Sequence, residues 1–345
     1  MRDSRATAVL AAVVERYIST GEPVPSAVVA GASKLNLASA SIRNIMAELT
    51  DQGYLEQPHV SAGRVPTAKA FRLYVDTVLA PKPLTTAKKK AITEGLDLEN
   101  ADISQILRRA SAMVSSQCLQ LGVVLAPKRD EMRWRTIEFS PMSANLVLAV
   151  LVLDGGIVRT RMVPVPVEYS GDELVRFGNY LNSAFKGCTL SDARARIEKE
   201  LELAGEKLEE MCRKALTLSR PALDMANDDR EVFMDGIGQV SHTSAFADAA
   251  RLRELVSFME ERPKLLDLLE RTMGSRDISV SFIQGEPGAA PWAVVSAPYA
   301  PPTYEAPLGV VSAVGLVQMN YANVLPIVAH IASSVAAVMR TRLVS

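Results

Sequence analysis

The chain has 345 residues, of which 48% are hydrophobic and 22% are charged, and its formal net charge is −1. This length exceeds one ordinary core, so two or three globular domains are expected. No basic-then-apolar leader opens the chain, and the apolar stretch Val324–Met339 carries His330, Ser333 and Ser334, so neither export nor a membrane span is predicted. The three cysteines lack paired or metal-ligand spacing, which indicates reduced thiols in a cytoplasmic protein.

Charge is unevenly distributed along the chain. The first 90 residues hold 12 basic and 7 acidic side chains. No acid lies between Glu56 and Asp76, where Arg64, Lys69 and Arg72 occur. A basic patch on a small N-terminal domain is typical of nucleic-acid binding. A merely solvated basic face has the same composition, so charge alone leaves both interpretations open.

The first 33 residues predict two helices. Residues Arg5–Ile18 show the apolar spacing of an amphipathic helix. The Gly and Pro residues of Thr20–Pro25 end this helix. Ser26 is then a suitable cap for a second helix, Ala27–Ser33.

A third helix carries the clearest periodic signal. Ile42, Ile45, Met46 and Leu49 recur at i, i+3, i+4 and i+7 and form one apolar face. Ser39 or Ser41 is predicted to cap this helix, and Gly53 is predicted to end it in a left-handed conformation. The other face has small or hydrogen-bonding side chains, namely Ala40, Ser41, Arg43, Asn44 and Ala47.

A hairpin and a fourth helix follow at once. Tyr54–Gln57 predicts a short strand, and the loop Pro58–Arg64 contains Gly63, which is expected to supply backbone freedom. This order predicts a winged helix-turn-helix, whose second helix enters the major groove. His59 suits either a phosphate contact or a turn. The predicted DNA-contacting residues are Ser39, Ser41, Arg43, Asn44, His59, Ser61, Arg64, Lys69 and Arg72. Winged helices also dock other proteins, but the polar helix face and the basic wing favour DNA.

The remainder predicts an α+β domain interrupted by a helical insertion. Pro81–Pro83 and Lys88–Lys90 indicate a linker. Strands are predicted at Trp134–Phe139, Leu146–Leu153, Ile157–Val167, Ile278–Gln284, Trp292–Ala297 and Leu308–Leu316. Helices are predicted at Ile103–Leu119, Asp172–Phe185, Asp192–Thr217, Arg251–Met259, Pro263–Thr272 and Tyr321–Leu343. A strand pair is expected within Asp229–Val240.

The residues do not predict an enzyme. The three histidines are far apart, with no HExxH pair and no Cys–His arrangement at ligand spacing. Gly155-Gly156 reads as a turn, because the phosphate-loop pattern GxxxxGK[ST] is absent. No metal and no cofactor are expected.

Several segments resemble the family of the heat-inducible transcription repressor HrcA. The matching segments are GEPV at Gly21–Val24, SIRNIMAEL at Ser41–Leu49, GYLEQPHVSAGRVPT at Gly53–Thr67, Tyr74-Val75-Asp76, Asp229–Phe233 with Gly236, and Gly309–Gly315 with Met319-Asn320-Tyr321. The chain departs from the family pattern at Leu316-Val317-Gln318, where Pro-Thr-Arg is usual, and at Asn320, where Asp is usual. Pro25 stands where Gly is common, and Ala70-Phe71 where Gly-Tyr is common.

The resemblance implies a domain plan. A winged helix-turn-helix domain is expected at 1–80, a linker at 81–102 and a GAF-like α+β domain at 103–189 and 274–345. An inserted, mainly helical dimerisation domain is expected at 190–273. Leu201, Leu208 and Met211 are candidates for the dimer contact, although an amphipathic helix could equally belong to the monomer core.

The resemblance also implies a function. It indicates a homodimeric repressor of heat-shock (chaperone) genes that binds an inverted-repeat operator in double-stranded DNA and is tuned by a GroEL-type chaperonin. An alternative is a winged-helix regulator of another operon whose GAF-like domain senses a small molecule. The operator distinguishes the two, because an inverted repeat upstream of chaperonin genes supports the first.

Overall fold

The computed structural model describes residues 4–31, 37–59, 62–97, 101–154, 157–203, 210–223, 230–241, 249–274, 277–283, 291–300 and 306–344. Within these ranges helices and sheets combine in an α+β architecture, as the sequence predicts. Ser61, Leu208 and the Gly155-Gly156 turn lie outside the described residues.

Residues 4–79 form a compact group that we call the N-terminal unit. Its elements are α1 (Ser4–Thr20), α2 (Ser26–Ala30), α3 (Ser39–Asp51), β1 (Leu55–Glu56), β2 (Val65–Pro66) and α4 (Ala68–Thr77). Ile42, Met46 and Leu49 of α3 are buried, and α1 packs against both α3 and α4. The apolar face predicted for α3 is therefore confirmed.

Two of the predicted helix caps are wrong. The N-cap of α3 is Ala38, which forms no side-chain capping bond, so Ser39 and Ser41 lie inside the first turn. The N-cap of α2 is Pro25, and Ser26 is the first helical residue. In both cases the extended cap position falls one residue before the serine, so the serine hydroxyl is not placed to cap the helix.

The predicted end of α3 is confirmed. Gly53 has a φ of 72°, in the left-handed region where glycine is preferred. The N–H of Tyr54 donates to the carbonyl of Leu49, and the N–H of Gly53 donates to the carbonyl of Thr50, each at 2.9 Å. These two bonds form a Schellman motif, which directs the chain straight into β1.

The segment predicted as a linker contains a helix. After Thr85, which caps it, α5 (Thr86–Leu96) buries Ile92 and Leu96. It packs against α6 (Ile103–Cys118) and against the last helix of the chain. Within the lysine run, Lys89 and Lys90 are exposed and Lys88 is half-buried. The charge of this run led to the prediction of a linker, although apolar residues follow it in the same helix.

Downstream of α6, β3 (Leu121–Leu125) leads into a group that we call the three-stranded unit, residues 129–223. Its elements are β4 (Trp134–Ser143), β5 (Leu146–Leu153), β6 (Val158–Pro164), α7 (Gly171–Phe185), α8 (Leu190–Leu203) and α9 (Glu210–Leu223), after a 3-10 turn at Arg129–Glu131. The strands form an antiparallel sheet in the order β4-β5-β6. One sheet face is covered by α7 and α9.

The remaining elements complete a second sheet. They are β7 (Val232–Asp235), α10 (Ile237–Ser241), α11 (Ala249–Glu260), α12 (Arg262–Met273), β8 (Ser279–Ile283), β9 (Trp292–Tyr299), β10 (Gly309–Leu316) and α13 (Tyr321–Val344). The five strands pair antiparallel in the order β7-β3-β10-β9-β8. We call these elements, with α5, α6 and β3, the five-stranded unit.

Helices cover both faces of the five-stranded sheet. Val124 and Val311 belong to one core with residues of α6 and α13. Their strand neighbours Val123 and Val310 belong to a second core with Leu255 and Leu269 of α11 and α12. Because side chains alternate between the faces of a strand, burial on both sides explains why β3 and β10 are almost entirely apolar.

The strand pairing divides the chain differently from the predicted domain plan. The expected insertion, 190–273, includes β7, yet β7 pairs with β3 inside the five-stranded sheet. The expected strand pair within Asp229–Val240 is one strand followed by α10. The segment that interrupts the five-stranded unit is the three-stranded unit, which includes strands that were assigned to the GAF-like domain. Leu201 and Met211 of this unit pack against its core.

The last helix explains the apolar C-terminal stretch. By length and composition alone, Tyr321–Arg340 is long and apolar enough to cross a membrane. However, α13 packs against α5, α6, β9 and β10. This is the arrangement of a core helix, as the sequence predicts.

Asn182 of α7 anchors that helix to β4. Its Oδ1 accepts from the indole Nε1 of the buried Trp134 at 3.0 Å and from the N–H of Ile137 at 2.7 Å. Its Nδ2 donates to Thr136 Oγ1 and to the Ile137 carbonyl, both at 3.0 Å.

Replacing Asn182 therefore tests the packing of α7 on β4. Asn182→Ala leaves the buried N–H groups of Trp134 and Ile137 without their acceptor. It should therefore lower the free energy of unfolding by about 2–3 kcal/mol. The control is Asn179→Ala on the exposed side of α7, which should change it by less than about 0.5 kcal/mol. Urea denaturation measures both, and equal effects would contradict the anchoring role.

Candidate nucleic-acid interface

The exposed face of α3 is polar from its first residue. Ser39, Ser41, Arg43 and Asn44 are all exposed, and the first acid on the helix is Glu48. Because no side chain caps the first turn, its backbone N–H groups remain available to an anion such as phosphate. The structure thus brings four of the nine predicted contact residues together on one end of one helix.

The hairpin is held against the segment that precedes α2. Leu55 pairs with Pro66 and Glu56 with Val65. The N–H and carbonyl of Arg64 also exchange two bonds of 2.9 Å with Val24. The wing is therefore a small antiparallel sheet whose third member is Val24.

Gly63 has a different role from the predicted one. A Cβ at this position would lie 2.5 Å from the carbonyl carbon of Val24 and 2.7 Å from that of Pro23. The glycine is required because the wing and the Pro23-Val24 backbone come into close contact.

Arg64 joins the wing to α3. Its Nε donates to Thr50 Oγ1 at 3.1 Å, and Thr50 in turn donates to the carbonyl of Met46 at 2.8 Å. The side chain is half-buried. Arg64 therefore fixes the position of the wing relative to α3 while its charge stays near the predicted DNA surface.

Lys69 stabilises the other end of α3. Its Nζ donates to the carbonyl of Gln52 at 2.9 Å and lies 4.3 Å from the ring centre of Tyr54. A cation beside the last carbonyls of a helix complements the helix dipole. The ammonium group remains exposed, so Lys69 combines a structural contact with a surface charge.

Thr67 is a residue that the sequence reading missed. It caps α4, and its hydroxyl donates to the carbonyl of Gly53 at 2.9 Å. Its N–H donates to the carbonyl of Tyr54 at 3.0 Å. A threonine just before an apolar-periodic segment is a cap signal, so the cap was detectable, whereas its contact with Gly53 requires the folded hairpin.

The other two described residues of the prediction contact other parts of the chain. His59 is exposed in the hairpin loop, where its carbonyl accepts from the N–H of Ala62 at 2.9 Å. The guanidinium carbon of Arg72 lies 5.9 Å from the ring centre of Phe282 in β8. Arg72 thus contacts the five-stranded unit, and we leave it out of the proposed interface.

The described part of the chain contains no group of three or more His, Cys, Asp or Glu side chains arranged to hold a metal ion. The chemistry of the surface built from α3 and the wing is instead that of hydrogen-bond donors and cations. Such groups recognise base edges and phosphates.

Comparisons with known proteins agree over nearly the whole chain. The family model for the HrcA protein C-terminal domain matches residues 104–325. Heat-inducible transcription repressor HrcA of Nitratidesulfovibrio vulgaris (strain Miyazaki F) is 50% identical over 343 residues, covering 98% of this chain and 96% of that protein. The Geobacter sulfurreducens repressor of the same name is 35% identical, covering 95% of each.

A solved structure shares the fold. A crystal structure at 2.2 Å resolution, described as that of a hypothetical protein, superposes with a TM-score of 0.61 at 20% sequence identity, and the match covers 99% of this chain and 100% of that one. The family match and the identities over nearly full length lead to one conclusion: the chain belongs to the HrcA family of heat-inducible transcription repressors.

Proposed function

We propose that this repressor binds an inverted-repeat operator upstream of heat-shock (chaperone) genes in the cytoplasm. The N-terminal unit acts as the winged helix-turn-helix, and the five-stranded unit as the GAF-like domain. The observation that carries the proposal is the exposed face of Ser39, Ser41, Arg43 and Asn44 at the uncapped start of α3, with the wing fixed beside it by Arg64.

The residue types on α3 suit base recognition. Arginine pairs with the O6 and N7 atoms of guanine, and asparagine with the N6 and N7 atoms of adenine. The serine hydroxyls and first-turn N–H groups suit phosphate contacts that fix the register of the helix. The side chains of Arg64 and the exposed Lys69 add positive charge, which attracts the phosphates of DNA whatever the base sequence.

Arg43 should contribute to sequence discrimination. Arg43→Ala is expected to weaken binding to an inverted-repeat operator by about 1–3 kcal/mol and to weaken binding to random duplex much less. Band-shift titrations at one fixed salt concentration measure both. Arg16→Ala, which removes an exposed cation from α1, is the control. Equal losses on both DNAs would show that Arg43 contacts only phosphate.

Recognition of an inverted repeat requires a two-fold dimer, and the open face of the three-stranded sheet is suited to form it. Alternate residues of β5 are buried, while Leu148, Val150 and Val152 are half-exposed. On the neighbouring strand β6, Met162 lies opposite Leu148 and Val158 lies opposite Val152. The side chains of Met162 and Val158 are 45% and 56% exposed. The exposed Glu138 and Thr160 lie opposite Val150 on the two neighbouring strands, so one carboxylate borders this apolar strip. A half-exposed row of apolar side chains of this kind marks an association surface.

The proposed partner is a second copy of the chain. Two-fold symmetry places the same patch on both subunits, so an apolar strip meets its own equivalent. The rigid three-stranded unit would then set the distance between two α3 helices at about one helical turn (~34 Å) or a multiple. The candidate contacts move accordingly from Leu201 and Met211 to β5 and β6.

A charge at the centre of the strip tests this assembly. Val150→Asp should give a monomer in sedimentation velocity and at least about tenfold weaker operator binding, because the two half-sites no longer act together. Val175→Asp, at an exposed position of α7, is the matched control and should remain dimeric. An intact Val150→Asp dimer would place the interface elsewhere.

We further propose tuning by a GroEL-type chaperonin. Leu125 of β3 pairs with Val310 of β10, so the central sheet forms only when distant segments meet. Such pairing is slow and leaves apolar strands exposed meanwhile. The strands β5 and β10 carry no charged residue and are rich in β-forming residues, so they are prone to aggregate while unpaired.

A heat pulse tests this regulation. Purified protein should lose most of its operator binding after mild heating, and chaperonin with ATP should restore it, since refolding and not a ligand limits recovery. A parallel sample receives a cell-metabolite extract without chaperonin. Recovery with the extract alone would support a small-molecule sensor, and full binding through the pulse without chaperonin would exclude the chaperonin mechanism.

A further inference from the structure

An aromatic cluster joins the N-terminal unit to the five-stranded unit. Phe71 of α4, Phe282 of β8 and Tyr321 at the start of α13 form a triangle with ring centres 6.1–6.2 Å apart. Phe71 and Tyr321 are 0% and 1% exposed. Tyr17 of α1 packs edge-on against Phe71 at 6.2 Å. The buried ring of Phe71 is therefore shared between the core of the N-terminal unit and its contact with the rest of the chain.

A cleft of about 340 Å³ lies beside this cluster. Glu15 and Tyr74 line it from the N-terminal unit, and Gln318, Asn320 and Tyr321 line it from the other side. Burial, reinforced by the Glu15 charge, raises the pKa of Tyr74 to about 12, so its hydroxyl stays protonated beside the carboxylate. Gln318 and Asn320 are two positions at which the chain departs from the family pattern, and both present neutral amides here.

The cluster depends on a weakly held strand. Among the described residues, β8 is the last strand of the sheet and has β9 as its one partner, and all five of its residues are half-buried. An edge strand has backbone partners on one side alone, and sparsely buried elements open at low free energy. Phe282, which lies between Phe71 and Tyr321, is therefore carried by one of the less secured strands of the sheet.

We propose that the aromatic junction of Phe71, Phe282 and Tyr321 is the heat-sensitive element of this repressor. While closed, it holds the two α3 helices of a dimer at the spacing that an operator requires. Heating releases β8 from the junction, undocks the N-terminal unit and lowers operator affinity before the sheets unfold. The inference rests on the proposed DNA-binding function and names its regulation.

Simple population arithmetic supports this coupling. Operator affinity falls in proportion to the fraction of molecules whose units are docked. Undocking also exposes the rings of Phe71 and Tyr321, and large exposed aromatic surface favours association with other chains or with a chaperone. One local opening thus accounts both for lost binding and for a need for refolding assistance.

The decisive comparison uses two neighbouring residues of β8. Phe282 packs with the junction, whereas Ile283 packs against the α11–α12 core on the opposite face. Phe282→Ala and Ile283→Ala both remove apolar contacts of the same strand, but only the first disrupts the junction. Phe282→Leu, which removes the ring and keeps most of the volume, serves if Phe282→Ala fails to fold.

Operator binding and proteolysis are measured as the temperature rises. The N–H of Lys82 donates to the carbonyl of Ala322 at 3.0 Å, which holds the segment that follows α4 against α13. At a temperature where the wild type still binds, loss of Phe282 should weaken operator binding about tenfold. It should also speed thermolysin cleavage of the Val78–Leu79 bond about tenfold, because Leu79 lines the cleft between the two units. Ile283→Ala should match the wild type in both.

Two outcomes would overturn the proposal. One is an equal effect of both variants. The other is loss of binding by the Phe282 variants only where far-ultraviolet circular dichroism shows global unfolding. Failure of the proposed function is recognised separately, because the wild type would then bind no inverted repeat even at low temperature, while thermolysin cleavage before Leu79 would still report on the junction.

Discussion

The pairing of β3 with β10 is the constraint on which the rest of the structure depends. These two strands lie side by side at the centre of the five-stranded sheet, with Leu125 opposite Val310, although most of the chain separates them. The three-stranded unit takes no part in that sheet and lies between β3 and β7 along the chain. Because α6 packs on β3 and β10, and α13 packs on β9 and β10, the pairing brings these two helices together on one face of the sheet. Folding of the body is therefore a long-range event, which explains the proposed need for assistance after heating.

The edges of the same sheet decide where other parts of the chain attach. β7 occupies one edge and β8 the other, and α4 of the N-terminal unit packs against β8. A unit of this size buries a modest core, so a contact that also uses Phe71 contributes substantially to its position. The arrangement connects β8, a half-buried edge strand of the five-stranded sheet, with the placement of the proposed DNA-binding surface.

The surface proposed to bind DNA has the opposite character, because local contacts build it. The Schellman motif at Gly53, the Arg64–Thr50 bond and the Lys69 contact with Gln52 all join residues that are near in sequence. Such contacts form within the N-terminal unit and do not require the distant sheet. The internal geometry of this surface therefore depends on the N-terminal unit alone. In our proposal, its position relative to the five-stranded unit depends in addition on the aromatic junction.

The sequence by itself determined what depends on local periodicity and local cap chemistry. The apolar face of α3, the left-handed Gly53 and most strands of both sheets follow from spacing that neighbouring residues impose. It did not determine Ala38 as the cap of α3, the reason for Gly63, or α5 beneath its lysines, because each depends on packing partners outside the segment. Only the tertiary structure assigned β7 to the central sheet and Arg72 to Phe282. Contacts between residues far apart in sequence produce no periodic pattern within either segment. Many strand pairings are compatible with the same apolar pattern, and only the assembled core selects one of them.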